Sequence, residues 1–539
     1  MPGHAIGGIE VRVTRPEAGA GPSTTRTLVL VSMTAANAMV LVDQTAVPLA
    51  LPSIMSEFGV GSQPVQWVLN ASLLPLAGLL VLGGRLADLF GRRRVFVVGS
   101  TIFAISSALA GLAPDFEILL TFRVFQGVGG ALMLPTTIAI ISAAFPGAER
   151  GRALGTMGGA AAVAGALGPT VGGALTSTLG WRFVLLVNVP LAVAAVIIAM
   201  RAVAPDSRRT DSRSIDLAGT VLLSVALAGL IFAVAQSQTW GWGSPGVLVP
   251  LLGSVLAAVL FVWLERRTEN PLMDFALLRR YPNYRGAVIS QGVGGMAEMG
   301  LGIIFPLVLI LNLGMDPGLA GLALIPATVP MVVVAPLAGR WYDKVGGRVP
   351  LVSGFGVLAL SGLLLAAGVL TTNYWLLLPG LLVYGTGLAL VLTVNDPVSL
   401  DTVPATEHGQ ASGVSATAEQ FGGALGIAVL YTVFHATYVN RLHADIDASP
   451  IADASTAQLE RLRADIIAAE QTGLHPDSFD PEVSMYLVSA LEASEFGYAV
   501  TFVFVSVLAV AAAVVVGRLV RPVTTQDAAG PRQADVPGG

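Results

Sequence analysis

Four charged side chains stand inside long apolar stretches of the chain: Asp43, Arg123, Glu298 and Glu419. A charge at the centre of a membrane-crossing helix costs about 2.5–3.5 kcal/mol on insertion scales, so such a residue is read as functional by default. An acid can shed that cost by taking a proton, which is the behaviour a proton carrier needs. The bland alternative is an acid satisfied by hydrogen bonds from a neighbouring helix. Glu298 lies among Gly294, Gly295, Met296, Met299 and Gly300, where flexible methionines suit variable apolar ligands. Glu419 and Gln420 precede Gly422, Gly423 and Gly426, and there binding and tight helix packing are both open. Arg123 cannot deprotonate and must meet an acid or a wet cavity. Paired with Asp43 it forms either a switch that ties protonation to conformation or a structural bridge.

Other chemistry is thinly represented. There is no cysteine, which removes disulfides, thiolate metal sites and cysteine nucleophiles. The five histidines show no metal-ligand spacing, so no metal or other cofactor is expected. No Gly-x-x-x-x-Gly-Lys-Ser/Thr loop is present to bind ATP. The balance of 29 basic and 34 acidic residues excludes a nucleic-acid partner.

The elements that must hold these charges are helices in a bilayer. Of 539 residues, 54% are hydrophobic and only 12% charged, about half the charge of a soluble domain. About 20 apolar residues cross the hydrocarbon. Fourteen stretches qualify: 28–51, 65–84, 95–113, 117–142, 153–176, 182–201, 215–235, 246–264, 286–312, 318–340, 349–370, 374–394, 408–434 and 496–520. If the N-terminus is cytoplasmic, the tails and even-numbered loops hold 24 basic residues and the odd-numbered loops four. That asymmetry places both termini in the cytoplasm. It also puts Asp43 and Arg123 in the outer parts of spans 1 and 4, at similar depth. Asp396 precedes Pro397 and reads as a helix end. Residues 435–495 form a long outer loop, with an amphipathic helix predicted over 455–470.

One pattern occurs twice. Gly84, Arg85, Asp88 and Gly91 close span 2, and Gly339, Arg340, Asp343 and Gly346 close span 10, both as Gly-Arg-x-x-Asp-x-x-Gly. The offset, 339 minus 84, is 255 residues. Six spans need roughly 180–200 residues at about 20 each plus connections, so the surplus matches one extra helix pair, spans 7 and 8. The chain thus reads as an all-α polytopic membrane protein: two pseudo-symmetric six-helix bundles and an inserted pair. The expected organisation is a cytoplasmic tail at 1–27, a bundle at 28–201 and the inserted pair with linkers at 202–285. A second bundle at 286–520, including the outer loop, and a cytoplasmic tail at 521–539 follow. Internal duplication of this kind is typical of secondary transporters.

These features resemble the major facilitator superfamily, and within it the fourteen-span drug:proton antiporters. Gly83 to Arg94, Arg123 to Gly130, Gly165 to Gly173 and Asp43 to Pro52 are the stretches that carry the likeness. The last departs from the family pattern, with Pro48 where an asparagine is usual. The resemblance implies a multidrug efflux protein of the bacterial cytoplasmic membrane, working as a monomer on small amphipathic, in part cationic, substrates with protons as the counter-ion. It assigns Gly84, Arg85, Asp88, Gly91, Arg92, Arg340 and Asp343 to a cytoplasmic gating latch. It assigns Gly165, Gly168, Pro169, Gly172 and Gly173 to an antiporter-type hinge or proton-tight contact. The arginines of loop 2–3 also anchor the chain at anionic lipid. Two other readings stand beside this one: a dedicated exporter of one natural product or lipid, and a polytopic membrane enzyme. The short loops lack a catalytic cluster for the latter.

Overall fold

The computed structural model describes residues 22–145, 148–203, 216–268, 271, 273, 275–404, 408–447 and 481–521. Its long helices follow the fourteen stretches in order. They are α1 (Pro22–Phe58), α2 (Trp67–Phe90), α3 (Arg92–Gly111), α4 (Phe116–Ala144), α5 (Ala148–Thr178), α6 (Asn188–Ala202) and α7 (Leu217–Trp240). Then come α8 (Pro245–Glu265), α9 (Pro282–Pro306), α10 (Ile325–Val345), α11 (Arg348–Val369), α12 (Tyr374–Asp401), α13 (His408–Asp447) and α14 (Pro481–Leu519). Short helices precede α6 and α10, at Arg182–Leu186 and Pro317–Ala323, and a π-helical segment, Leu307–Asn312, extends α9.

Among the described residues twelve spans are long and apolar enough to cross a bilayer, with α6 and α10 counted together with the short helices before them and α9 with its π-helical extension. A thirteenth, α5, is bent by 41° between Thr156–Gly165 and Leu167–Thr178. Pro169 explains the position of the bend, because its missing N–H leaves the Gly165 carbonyl unbonded one turn earlier. The remaining rod is α2, whose apolar core is the shorter Trp67–Leu80.

Among the boundaries that differ from the sequence reading are those of α1, α12, α13 and α14. α1 begins at Pro22, where a proline costs no helical hydrogen bond. α13 runs on to Asp447 and α14 starts at Pro481, so both ends of the expected outer loop are helical. Residues 435–447 contain no breaker, and Arg441 pairs with Asp445 one turn on at 3.3 Å. α12 passes through Asp396 and Pro397 to Asp401, so that dipeptide does not end the helix. The predicted amphipathic helix over 455–470, most of the 1–27 tail and most of the 521–539 tail lie outside the described residues.

The duplication is written into the packing. α3 meets α4 where Gly99 faces Gly129: a Cβ on Gly99 would stand 2.9 Å from the Gly129 carbonyl oxygen. α11 meets α12 where Gly354 faces Gly387, and a Cβ on Gly387 would stand 3.0 Å from the Gly354 carbonyl oxygen. The offset of Gly354 from Gly99, 354 minus 99, is again 255. The repeated motif ends in the same way in both halves. Gly91 and Gly346 cap α2 and α10 with φ of 101° and 74°, a conformation that favours glycine. Their amides close the preceding turns on Ala87 and Tyr342.

The inserted helices sit at a seam between the bundles. In α7, the Ser224 hydroxyl lies 3.4 Å from the Gly78 carbonyl of α2, and the Val234 carbonyl accepts from Thr432 of α13 at 3.2 Å. Trp67 of α2 packs its ring 5.9 Å from Phe232 of α7. Phe421 of α13 leans on Leu223, Leu227 and Phe261. α7 therefore touches both six-helix bundles, with α8 behind it.

Where backbones approach this closely, a side chain must displace main chain, and overpacking typically costs about 1–3 kcal/mol. Gly99→Val and Gly354→Val are expected to lower the thermal unfolding temperature of the purified protein. Gly356→Ala, at a position with nothing within 4 Å of a new Cβ, should leave it unchanged or raise it.

Candidate functional site

The first bundle gathers its polar groups into one knot. Arg123, with no exposed surface, donates from Nη1 to Asp43 at 2.7 Å and to Gln126 Oε1 at 2.8 Å. Its Nη2 reaches the Ser72 hydroxyl at 2.7 Å, and its Nε the Val68 carbonyl at 2.8 Å. The second carboxylate oxygen of Asp43 accepts from Gln126 at 3.0 Å and from Asn188 at 2.8 Å. Both amides also approach Ser107 at 3.2 Å, and that hydroxyl donates to the Leu185 carbonyl. The knot spans α1, α2, α3, α4 and α6. It brings together Asp43 and Arg123, the pair expected from their common depth. Asn188, Ser107 and Ser72 did not stand out in the sequence; their one signal was a lone polar residue in an apolar span.

A guanidinium and a carboxylate removed from water each cost several kcal/mol, which only good geometry and further hydrogen bonds offset. Here every partner is a fixed protein group. The guanidinium and the carboxylate neutralise each other in this conformation, and the one knot atom without a partner is Asn188 Oδ1.

The second bundle is built differently. Glu298 is on α9 and Glu419 on α13, and both are half-buried. They are near enough to interact electrostatically, and Asp396 of α12 lies near enough to Glu419 to do the same. Gln291 donates its side-chain amide to the Glu419 carboxylate. Among the described residues no Lys, Arg or His forms an ion pair with any of the three acids. The same three helices hold buried polar atoms without partners: Ser290 Oγ, Gln291 Oε1, Thr417 Oγ1 and both amide atoms of Asn395. Across the midline, Gln44 of α1 donates to Gln420 of α13 at 3.0 Å, while Gln44 Oε1 has no partner.

Glycines set the depth at which these acids sit. A Cβ on Gly295, Gly422 or Gly426 would collide with the backbone of Glu419, Gly292 or Met296 respectively, so α9 and α13 run in backbone contact beside the acids. α1 and α5 repeat the arrangement, Gly168 against Thr45 and Gly172 against the Ala46 carbonyl.

The α5 motif also joins the two bundles. Gly173 faces the Pro317 carbonyl and Gly321, and a Cβ on Gly321 would stand 2.6 Å from the Pro169 carbonyl. Thr170 donates to the Gly321 carbonyl at 3.3 Å. The bundles thus close at the end that carries the α5 C-terminus. At the other end Gly158 of α5 and Gly339 of α10 face open space.

At that end the Gly-Arg-x-x-Asp-x-x-Gly residues divide. Arg92 donates to the Ala139 carbonyl of α4 at 3.1 Å, and Arg93 to the Met200 carbonyl in the last turn of α6. These contacts stay within one bundle. Arg340 and Asp343 are exposed, and Tyr342 between them donates to Asp401 of α12 at 2.5 Å. The Arg85 and Asp88 side chains lie outside the described residues.

Residues 33–427 match the Major Facilitator Superfamily. The chain belongs to that superfamily. "Multidrug resistance protein Stp" of Mycobacterium tuberculosis (strain CDC 1551 / Oshkosh) is 36% identical over 399 residues, 74% of each chain. "Multidrug efflux pump LfrA" of Mycolicibacterium smegmatis is 30% identical over 512 residues, 92% of this chain and 97% of that one. The "Tetracenomycin C resistance and export protein" of Streptomyces glaucescens is 35% identical over 398 residues, 73% of each. Among solved structures, a bacterial homologue of the human lysosomal transporter Spinster, inward-facing and unoccupied, superposes with a TM-score of 0.61. It covers 93% of this chain and 99% of its own at 17% identity, a likeness of fold. The superfamily is one of transporters, and this member adds a helix pair, α7 and α8, to two six-helix bundles.

Breaking a buried ion pair from one side leaves an uncompensated charge and costs about 3–5 kcal/mol. Asp43→Asn is expected to lower the unfolding temperature sharply, and Asp43→Asn combined with Arg123→Gln to recover much of the loss. Thermal unfolding of the three purified variants against the parent measures this.

Proposed function

We propose that this protein exports small amphipathic compounds across the bacterial cytoplasmic membrane in exchange for protons, by alternating access. The observation that carries the coupling is the difference between the two halves. In the first, the intramembrane acid is neutralised by arginine. In the second, Glu298, Glu419 and Asp396 have no basic partner among the described residues. Acids in apolar surroundings without a cation are neutralised by protons or by a cationic substrate. Competition between the two for the same carboxylates is antiport.

Both termini are assigned to the cytoplasm from the distribution of Arg and Lys. The end closed by α5 is then the outer one, and the opposite end faces the cytoplasm, where a drug is collected. Gly165, Gly168, Pro169, Gly172 and Gly173 form the outer seal together with Pro317 and Gly321. Gly84, Arg85, Asp88, Gly91, Arg92, Arg340 and Asp343 form the inner latch, which engages when the halves rock together. Arg123 and Asp43 form the bridge that keeps the first bundle rigid as the halves rock. The transmembrane potential supplies about 2.3 kcal/mol per charge per 100 mV.

Relatives named for a single compound, such as the tetracenomycin C protein, favour a second reading: a dedicated exporter of one natural product. Direct binding across a chemical panel separates the two. Broad export predicts binding of several unrelated lipophilic cations, and dedicated export predicts one scaffold.

Glu298→Gln and Glu419→Gln keep shape and remove the titratable group. Each is expected to abolish substrate uptake driven by a pH gradient in inverted vesicles, with downhill substrate exchange still measurable at matched expression. Gradient-driven uptake that survives both substitutions would remove these acids from the coupling mechanism.

A further inference from the structure

Outside the transport path, α11 and α14 leave a cleft of about 380 Å³ between them on the outer surface of the second bundle. Val352, Gly356, Val510, Ala513, Val514 and Gly517 line it, with Arg348 and Arg518 alongside. The cleft exists because side chains are missing. A Cβ on Gly356 would meet nothing within 4 Å, and one on Gly517 would meet only Val352, at 3.4 Å. Val510 and Val514 project from α14 beside it and are largely exposed, as befits a surface that faces acyl chains.

The two arginines lie at one end of this apolar slot. Arg348 opens α11 and Arg518 stands in the last turn of α14, and these helices run antiparallel, so both charges fall at the same membrane level. Both are exposed. Among the described residues neither forms an ion pair, and the first turn of α11 holds no acid. A topogenic role alone would scatter basic residues around the rim. Two of them from helices far apart in sequence, at the head of a shared apolar cleft, match a molecule with an anionic head and a hydrocarbon tail.

We propose that this cleft binds one anionic phospholipid, its phosphate between Arg348 and Arg518 and an acyl chain along Gly356 and Gly517. The apolar lining selects lipid over a free phosphate ion, which would gain nothing from the valines. α11 and α14 belong to the bundle that carries Glu298 and Glu419, so the lipid would brace the half whose acids titrate.

The test is lipid retention by the full chain. Protein extracted in mild detergent is exchanged into nanodiscs of phosphatidylglycerol and phosphatidylcholine in equal amounts, and released lipid adducts are counted by native mass spectrometry. The parent is expected to keep phosphatidylglycerol over phosphatidylcholine by about thirtyfold, equivalent to about 2 kcal/mol, the size of two basic side chains at an anionic surface. Arg348→Gln with Arg518→Gln should erase the preference. Gly356→Leu, which fills the slot and keeps both charges, should reduce retention of either lipid. No headgroup preference in the parent, or a preference untouched by the double substitution, would overturn the proposal. So would displacement of the lipid by millimolar inorganic phosphate, which would mark a plain anion site.

Discussion

A guanidinium that cannot give up its proton is held in the apolar interior of the first bundle, and the rest of that bundle is arranged around it. Arg123 has no exposed surface. Its charge would be prohibitive without Asp43, and the pair would still be costly without the amides and hydroxyls that complete its hydrogen bonds. Gln126, Asn188, Ser107 and Ser72 supply them from four helices. Moving any one helix relative to the others breaks a buried bond to a charged group, so α1, α2, α3, α4 and α6 move as a block. α5 is not in the knot. It is tied instead to α1 by backbone contact at Gly168 and Gly172, which leaves its far face, through Gly173, for the other bundle.

The second bundle keeps the backbone plan and changes the chemistry. The 255-residue offset relates Gly99 to Gly354 and the two Gly-Arg-x-x-Asp-x-x-Gly turns. Among the described residues no base pairs with Glu298, Glu419 or Asp396, and the helices that carry these acids also hold buried polar atoms without partners. A half that is electrostatically complete is suited to serve as a frame. A half with unpaired acids and open hydrogen-bonding valences is suited to take a ligand or a proton. Gln44 and Gln420 join the two at the midline, so occupancy on one side can be felt on the other. The inserted α7 packs on α2 and α13 together, and rocking of the bundles must slide one of those contacts.

Much of this was legible in the sequence, for reasons that can be named. The spans announce themselves by length and apolarity, and the duplication by one repeated turn whose last glycine has a positive φ in both copies. Asp43 and Arg123 could be paired in advance because their depth follows from topology. Asn188 and Ser107 could not, since one amide or hydroxyl in an apolar helix says nothing about which neighbour it faces. Asp396 reads as a helix end because it precedes a proline, yet α12 continues past it. Membrane helices tolerate proline when neighbours satisfy the freed backbone. α13 and α14 run past their apolar stretches for a related reason: polar residues stop a hydrophobic count but do not stop a helix.

The central claim is that protons neutralise the second bundle's acids and arginine the first's. It is tested most directly by proton release from the detergent-solubilised protein. A lipophilic cation is added to an unbuffered sample containing a pH-indicator dye. The account predicts that the parent releases protons as substrate binds, that Glu298→Gln and Glu419→Gln together abolish the release, and that Asp43→Asn retains it. Release unchanged in the double glutamine variant, or lost on Asp43→Asn alone, would contradict the account.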